Sequence, residues 1–122
     1  MIMDVVGKKV AVVGSRTFSN FDLLVKTLLE YHASTGIALI VSGGAAGADS
    51  MAEKFAKIHG IPTSIHLPDW KKYGRAAGII RNKDIIAECD VCFAFWDGSS
   101  RGTKNDIELC RKLNKTCHII KF

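Results

Sequence analysis

The chain has 122 residues, of which 48% are hydrophobic and 24% are charged, a composition typical of one soluble globular domain. The net charge of +5 favours an anionic partner, but charge alone does not distinguish a nucleotide from a nucleic acid. No apolar run is long enough to cross a bilayer, and residues 1–6 are too short for a signal peptide, so we expect a cytoplasmic protein with no membrane partner.

Apolar runs and amphipathic segments alternate along the chain and predict alternating strands and helices. A β-branched run predicts a first strand over 8–13, and Ser19, with Asp22 three residues later, predicts the cap of a first helix that ends at Gly36. An irregular stretch is expected from Pro68 to Gly74. The other segments predict strands over 37–41, 61–67, 90–96 and 116–122, and helices over 47–60, 76–88 and 103–113.

Strands that are nearly continuous apolar runs and alternate with helices predict a parallel sheet covered on both faces. Right-handed crossovers make such a sheet doubly wound, so residues 1–122 are expected to form one α/β domain, a Rossmann-like three-layer sandwich. Ligands of such sheets bind beyond the carboxyl ends of the strands, where the strand order reverses. The loops that follow the strands are therefore the expected functional region.

Three glycine-containing loops follow the first, second and fourth predicted strands. Glycine lets the backbone approach an anion closely, and a helix that begins directly after the loop adds free amides and the positive end of its dipole. One such loop is common in any α/β protein, but three at one sheet edge favour a phosphate-binding site. The residues expected to contact the ligand are Gly14, Ser15, Arg16, Ser42, Gly43, Gly44, Gly47, Asp49, Asp97, Gly98, Ser99, Gly102 and Thr103.

Spacing excludes two familiar nucleotide-binding motifs. The second loop, Ser42-Gly43-Gly44-Ala45-Ala46-Gly47, does not match G-x-G-x-x-G, and no acidic residue ends the strand before it to hold a ribose. The sequence also lacks the G-x-x-x-x-G-K-[ST] pattern of P-loop nucleotidases. A phosphate site is still expected, but the identity of its ligand stays open.

Five basic residues and no acidic residue lie between positions 71 and 83. This stretch is either a solvated positive face or a lip that attracts phosphate, and Arg75, Arg81 and Asn82 join the expected ligand contacts for the second reason. Trp70 joins them because an indole ring can stack on a base. The alternative is that Trp70 and Tyr73 anchor an irregular loop.

The four cysteines, Cys89, Cys92, Cys110 and Cys117, predict neither disulfides nor a metal site. A domain of this size needs no disulfide, and cytosolic thiols stay reduced. Cys89-x-x-Cys92 has the spacing of a zinc ligand pair, but the other two cysteines are separated by six residues and fall on a predicted helix and strand. We therefore expect buried small side chains, no metal and no cofactor.

Several of these segments together resemble the SLOG superfamily, which includes the Smf/DprA proteins and the LOG phosphoribohydrolases. The match is greatest with its small stand-alone YspA-like, or cpYpsA-related, branch. It rests on Gly14-Ser15-Arg16-Thr17-Phe18, Ser42-Gly43-Gly44-Ala45-Ala46-Gly47-Ala48-Asp49, Asp69-Trp70, Ala76-Ala77-Gly78 with Arg81-Asn82, and Gly102-Thr103. The resemblance implies a five-stranded parallel sheet of order 3-2-1-4-5, a pocket for nucleotides or nucleotide-derived ligands at these loops, and a homo-oligomer.

In the LOG enzymes, an arginine before the fourth strand and a glutamate in a P-G-G-x-G-T-x-x-E motif support cleavage of the N-glycosidic bond of a nucleoside monophosphate. The resemblance assigns these two catalytic positions to Arg81 and Asp106. The chain departs from the motif in its opening, Asp97-Gly98-Ser99-Ser100-Arg101, and in the shorter carboxylate at position 106. Asp106 also fits a capping box with Thr103, which would make it a structural residue.

Three functions follow from these observations. The first is a domain that binds a nucleotide or nucleotide-derived ligand as a sensor, carrier or sequestering protein. The second is a phosphoribohydrolase or related N-glycosidase, in which Arg81 anchors the substrate and Asp106 supplies the carboxylate. The third is single-stranded nucleic-acid binding, which the Smf/DprA resemblance favours, although Trp70, Tyr73 and Trp96 offer little aromatic surface for stacking.

Overall fold

A computed structural model describes residues 7–122 as alternating strands and helices. The strands are β1 (Lys8–Gly14), β2 (Ile37–Ser42), β3 (Thr63–Ile65), β4 (Val91–Trp96) and β5 (Thr116–Lys121). The helices are α1 (Phe21–Ser34), α2 (Ala48–Ile58), α3 (Trp70–Tyr73), α4 (Ala77–Glu88) and α5 (Arg101–Lys112), and a 3₁₀ turn, Gly74–Ala76, joins α3 to α4. None of these described helices is both long and apolar enough to span a membrane.

All five strands pair in parallel, in the order β3-β2-β1-β4-β5. The chain builds outwards from β1 through β2 to β3, and α4 then returns it to the other side of β1, where β4 and β5 follow. The strand order therefore reverses between β1 and β4, which pair from Val10 with Val91 to Gly14 with Phe95. The Rossmann-like α/β fold and the strand order implied by the resemblance are confirmed.

Two hydrophobic layers cover the two faces of this sheet. Side chains alternate along β1, so Val10 and Val12 face α1 and α2, whereas Ala11 and Val13 face α4 and α5. The first layer also buries Leu24, Leu28, Ile40, Phe55, Phe93 and Phe95. The second also buries Val41, Ile85, Ile86, Cys92, Ala94 and Cys110. Helices on both faces fix the loops at the carboxyl edge between two packed layers.

Two boundaries predicted for the first helix and the third strand are wrong. Asn20, not Ser19, caps α1, because its Oδ1 accepts a hydrogen bond of 3.0 Å from the Leu23 amide. The third strand covers Thr63–Ile65 only, not 61–67. It is the edge strand of the sheet. The apolar residues on either side are not paired in it: Ile61 is buried in the core before the strand begins, and Leu67 is exposed after it ends.

The start of α5 also differs from the prediction. The helix begins at Arg101 after the cap residue Ser100, two residues before the predicted start at Thr103. Asp106 consequently lies in the second helical turn, where a side chain cannot reach back to cap the first amides. The capping-box interpretation of Thr103 and Asp106 is therefore wrong.

Gly47 lies where the loop after β2 crosses the loop after β1. Its φ of +81° is in the region that favours glycine, and an added Cβ would lie 2.6 Å from the carbonyl oxygen of Ser15 and 2.9 Å from that of Arg16. Both oxygens belong to the backbone and cannot rotate away. Gly47 thus allows two loops to meet at the sheet edge.

Replacing Gly47 with alanine is expected to lower the free energy of unfolding by about 2–4 kcal/mol, because backbone strain adds to a steric clash. Gly102→Ala is the matched control: an added Cβ there meets nothing within 4 Å, and the position is helical, so the change is expected to stay within about 1 kcal/mol. Denaturant unfolding of both variants measures the difference. Equal stabilities would contradict a tight crossing of the loops.

Candidate functional site

A cleft of about 400 Å³ opens at the carboxyl edge of the sheet, where the strand order reverses. Its walls come from the loops after β1, β2 and β4 and from α2, α4 and α5. The volume falls within the range of small-molecule sites. The sequence-predicted residues that line it are Gly14, Ser15, Arg16, Asp49, Arg81, Asn82, Asp97, Gly102, Thr103 and Asp106.

Other predicted contacts lie outside the lining, namely Ser42, Gly43, Gly44, Gly47, Trp70, Arg75, Gly98 and Ser99. Trp70 and Arg75 are exposed on α3 and the turn after it. Conversely, the lining includes residues that the sequence analysis missed: Val13, Thr17, Ala45, Ile85 and Ser100. Ser100 did carry a signal, because a serine directly before an amphipathic helix is a favoured N-cap.

Ser15 joins the loop after β1 to the loop after β4. Its amide donates to the Phe95 carbonyl at 3.0 Å, and its hydroxyl accepts from the Asp97 amide at 3.3 Å. The side chain is buried, so this contact is shielded from water. Two of the three predicted loops are therefore held together, with Arg16 exposed beside them.

Asp49 organises the loop after β2. Its Oδ2 accepts hydrogen bonds from the amides of Gly43 and Ala45, both at 3.2 Å, and the Gly44 amide donates to the Ser42 hydroxyl at 3.4 Å. These amides, which the sequence analysis expects to bind phosphate, are satisfied within the loop. Burial raises the pKa of Asp49 to about 6, opposed by the two amides and by the charge of Arg81.

Arg81 reaches from α4 to the same loop. Its Nη1 donates to the Gly43 carbonyl at 2.6 Å, and its Nε donates to Oδ1 of Asn82 at 3.0 Å. A Cβ at Gly43 would lie 2.6 Å from Nη1 of Arg81 and 2.9 Å from Oδ2 of Asp49, so a side chain there would displace both groups from their present positions. The half-buried guanidinium is thus fixed at the cleft, with further N–H groups for a ligand.

The amino terminus of α5 forms the opposite wall. Within residues 7–122 no side chain caps this helix, so the first-turn amides of Gly102 and Thr103, which line the cleft, have no capping side chain. Asp97 instead shapes the loop before the helix, since its Oδ1 accepts from the Ser99 and Ser100 amides at 2.9 and 2.8 Å. The same bonds lower the pKa of Asp97. An uncapped helix start in a cleft that also contains the fixed Arg81 and the exposed Arg16 suits an anion.

Asp106 lies one turn further along α5 and is 5% exposed. Its Oδ1 is buried and finds no hydrogen-bond partner among the described residues. Burial, followed by the charge of Asp49, raises the pKa of Asp106 to about 8, although Arg81 opposes the shift. At neutral pH the carboxyl is therefore largely protonated. A buried polar group without a partner, at the wall of a cleft, marks a place where a ligand atom fits.

Comparison with known proteins identifies the family. The model of the YspA, cpYpsA-related SLOG family matches residues 8–73, more than half of the chain. The chain belongs to this family. The gene 61 protein of Mycobacterium phage D29 is 32% identical over 112 residues, which cover 86% of this chain and 90% of that protein. The resemblance found in the sequence is confirmed.

Two solved structures share the fold of this SLOG domain. DNA processing protein A (DprA) from Streptococcus pneumoniae superimposes with a TM-score of 0.75 at 21% identity, over 95% of this chain and 51% of that one. DprA from Helicobacter pylori, described with a unique mode of single-stranded DNA binding, gives a TM-score of 0.73 at 23% identity, over 93% and 65%. The chain thus spans between half and two thirds of these neighbours.

The raised pKa of Asp106 predicts how stability changes with pH. The folded protein holds this proton up to about pH 8, whereas an unfolded chain releases it near pH 4, so stability falls as the pH rises between these values. Asp106→Asn has no carboxyl group to ionise at this position, so it avoids this loss of stability. The variant is expected to melt roughly 5 °C or more above the wild type at pH 8, with a smaller difference at pH 5.

Thermal melting of both proteins from pH 5 to pH 8 measures this effect. Asp97→Asn is the control, because the pKa of that exposed carboxylate is lowered and its replacement is expected to give no gain at pH 8. A wild type and an Asp106→Asn variant with the same pH dependence would show that Asp106 ionises normally.

Proposed function

We propose that this SLOG domain binds a nucleotide or nucleotide-derived small molecule in the cleft. The observation that carries the proposal is the buried Asp106 oxygen without a partner, at the wall of a cleft that also contains the uncapped start of α5. A buried polar atom without a partner costs about 1–3 kcal/mol. A hydroxyl or N–H of a bound ligand would remove that cost.

The spacing along α5 suits a sugar phosphate. Gly102 and Asp106 are separated by one helical turn, about 6 Å of rise. A phosphate at the first-turn amides would therefore leave the ring hydroxyls of its ribose near the Asp106 carboxyl. Arg16 and Arg81 supply positive charge on the neighbouring walls.

The protonation state of Asp106 supports an anionic ligand. The cleft holds three carboxyl groups, those of Asp49, Asp97 and Asp106, and three full negative charges would repel a phosphate. The pKa of about 8 keeps Asp106 mostly neutral at pH 7, so it can donate a hydrogen bond rather than add to the repulsion. Asp97 is exposed and its charge is screened by water.

A screen of nucleoside monophosphates, NAD and ADP-ribose is expected to raise the melting temperature for at least one compound, by several degrees at saturating concentration. Arg16→Ala is expected to lose most of the increase, since this exposed side chain lines the cleft. Arg75→Ala is the matched control, because Arg75 is exposed and lies outside the lining. Differential scanning fluorimetry measures the change in melting temperature for the wild type and for both variants. No increase for any compound would overturn the proposal.

Single-stranded DNA is the other occupant to be distinguished, because the H. pylori neighbour is described as binding it and because Lys71, Lys72, Arg75 and Lys83 are exposed. An oligonucleotide held by such residues dissociates steeply as salt rises, whereas a small ligand in a cleft responds weakly. Arg75→Ala would then weaken binding as much as Arg16→Ala does. That result, without any response to mononucleotides, would favour the nucleic-acid function.

Turnover of the ligand is a second candidate, favoured by the pair of buried carboxyls. Asp49 and Asp106 have pKa values raised to about 6 and about 8, so at pH 7 one is mostly ionised and the other mostly protonated. Cleavage of an N-glycosidic bond develops positive charge on the sugar, which a carboxylate at Asp106 would stabilise. Asp106 also matches the position of the glutamate in the LOG motif, which supports the same role.

Incubation with nucleoside monophosphates is expected to release the free base, with a rate that rises with pH as Asp106 ionises towards pH 8. Asp106→Asn is expected to reduce this rate by at least about 100-fold, and Asp106→Glu, which restores the family's glutamate, to retain activity. Chromatography of the released base measures the rate of each protein. An unchanged rate in Asp106→Asn would remove this residue from the mechanism, and no release by the wild type would leave binding alone.

A further inference from the structure

Three cysteine side chains meet on the face of the sheet that α4 and α5 cover. The Sγ atoms of Cys92, Cys110 and Cys117 all lie within 4.8 Å of one another. We call these three residues the thiol cluster. Cys92 and Cys117 sit near the amino ends of β4 and β5, so the cluster lies away from the cleft, which is at the carboxyl ends.

The cluster depends on strand register and helix position. Cys92 and Cys117 are direct partners in the parallel pairing of β4 with β5. Cys110, in the last turn of α5, comes over this pair because α5 crosses back from β4 to β5. Two of the three thiols therefore come from the sheet, and the third comes from the helix that covers it.

The separations fit a single metal ion. Three sulfurs bound to one ion at about 2.3 Å, the usual Zn–S distance, lie about 3.8–4.0 Å apart. The cluster reaches this geometry when its sulfurs approach by about 1 Å or less. Changes of that size are within reach of χ1 rotations, with no movement of the backbone.

The chemistry of the donors and their surroundings selects the kind of ion. Three thiolates with no carboxylate among them favour soft ions over Mg²⁺ or Ca²⁺. The neighbours are apolar, including Ile86, Ala94 and Ile107, so the net charge of the bound site matters. A monovalent ion would leave two negative charges there, whereas a divalent ion leaves one.

We propose that the thiol cluster is a binding site for one thiophilic divalent ion of the zinc and cadmium class. Cys92 and Cys110 are buried and Cys117 is half-buried, so the fourth coordination position faces solvent on the Cys117 side. Binding forms three metal–sulfur bonds, and the protons that the thiols still hold pass to solvent, with no change of oxidation state. The ion would join β4, α5 and the edge strand β5.

Titration of the reduced, metal-free protein with Cd²⁺ tests the site directly. Thiolate-to-cadmium absorption in the ultraviolet is expected to saturate at one equivalent, together with a rise in melting temperature. Cys117→Ser is expected to weaken binding at least tenfold, and its half-buried position makes the substitution tolerable to the fold. Cys89→Ser is the matched control, because Cys89 is a buried cysteine outside the cluster whose thiol donates to the Ile86 carbonyl.

A second measurement uses the wild type alone. Alkylation of Cys117 in the native protein, followed by mass spectrometry, is expected to stop once one equivalent of Cd²⁺ or Zn²⁺ is present. Absence of charge-transfer absorption, equal weakening by Cys89→Ser and Cys117→Ser, or continued alkylation of Cys117 would each overturn the proposal. These readouts do not involve the cleft, so they are independent of the proposed function.

Discussion

The carboxylate of Asp49 holds the loop after β2 in the shape on which the rest of the cleft depends. By accepting from the Gly43 and Ala45 amides, it turns the Gly43 carbonyl towards Arg81, which donates to it from α4. A buried carboxylate with two amide donors is favoured over one without them, so these bonds stabilise this conformation of the loop. The glycine-rich loop thus binds an internal carboxylate, and the backbone amides without a partner side chain at the cleft are those at the start of α5.

Asp49 also controls the electrostatics of the cleft. Its charge adds to burial in raising the pKa of Asp106, and Arg81 moderates both carboxyls. The resulting neutral Asp106 is unfavourable for stability above its unfolded pKa, yet it is the feature that best fits a ligand hydroxyl. Retaining a destabilising group at a binding site is the usual exchange between stability and function.

Helix α5 links the two sites that we propose. Its first two turns provide the free amides and Asp106 at the cleft, and its last turn carries Cys110 in the thiol cluster. Because the helix packs on β4 and β5 along its length, an ion that joins Cys110 to these strands would hold the cleft wall as well.

The sequence by itself determined the fold class and the edge of the sheet where the cleft opens. Apolar runs such as that of β1, alternating with amphipathic helices, favour a parallel sheet buried on both faces, and the family motifs implied its order. Local patterns also brought Arg16, Arg81, Asp97 and Thr103 into the set of residues that line the cleft. These features depend on residues close together in the chain, so a local sequence pattern is enough to recognise them.

Only the tertiary structure decided what each group contacts. The sequence predicted that Gly43 and Gly44 contact the ligand, but their amides donate to Asp49 and Ser42, and Trp70 and Arg75 lie outside the cleft lining. Asp106 lies in the second turn because α5 begins at Arg101. Burial there, followed by the charge of Asp49, raises the pKa of its carboxyl group. The contact of Arg81 with Gly43, the burial of Asp106 and the meeting of the cysteines depend on strand register and helix packing, which join residues far apart in the chain.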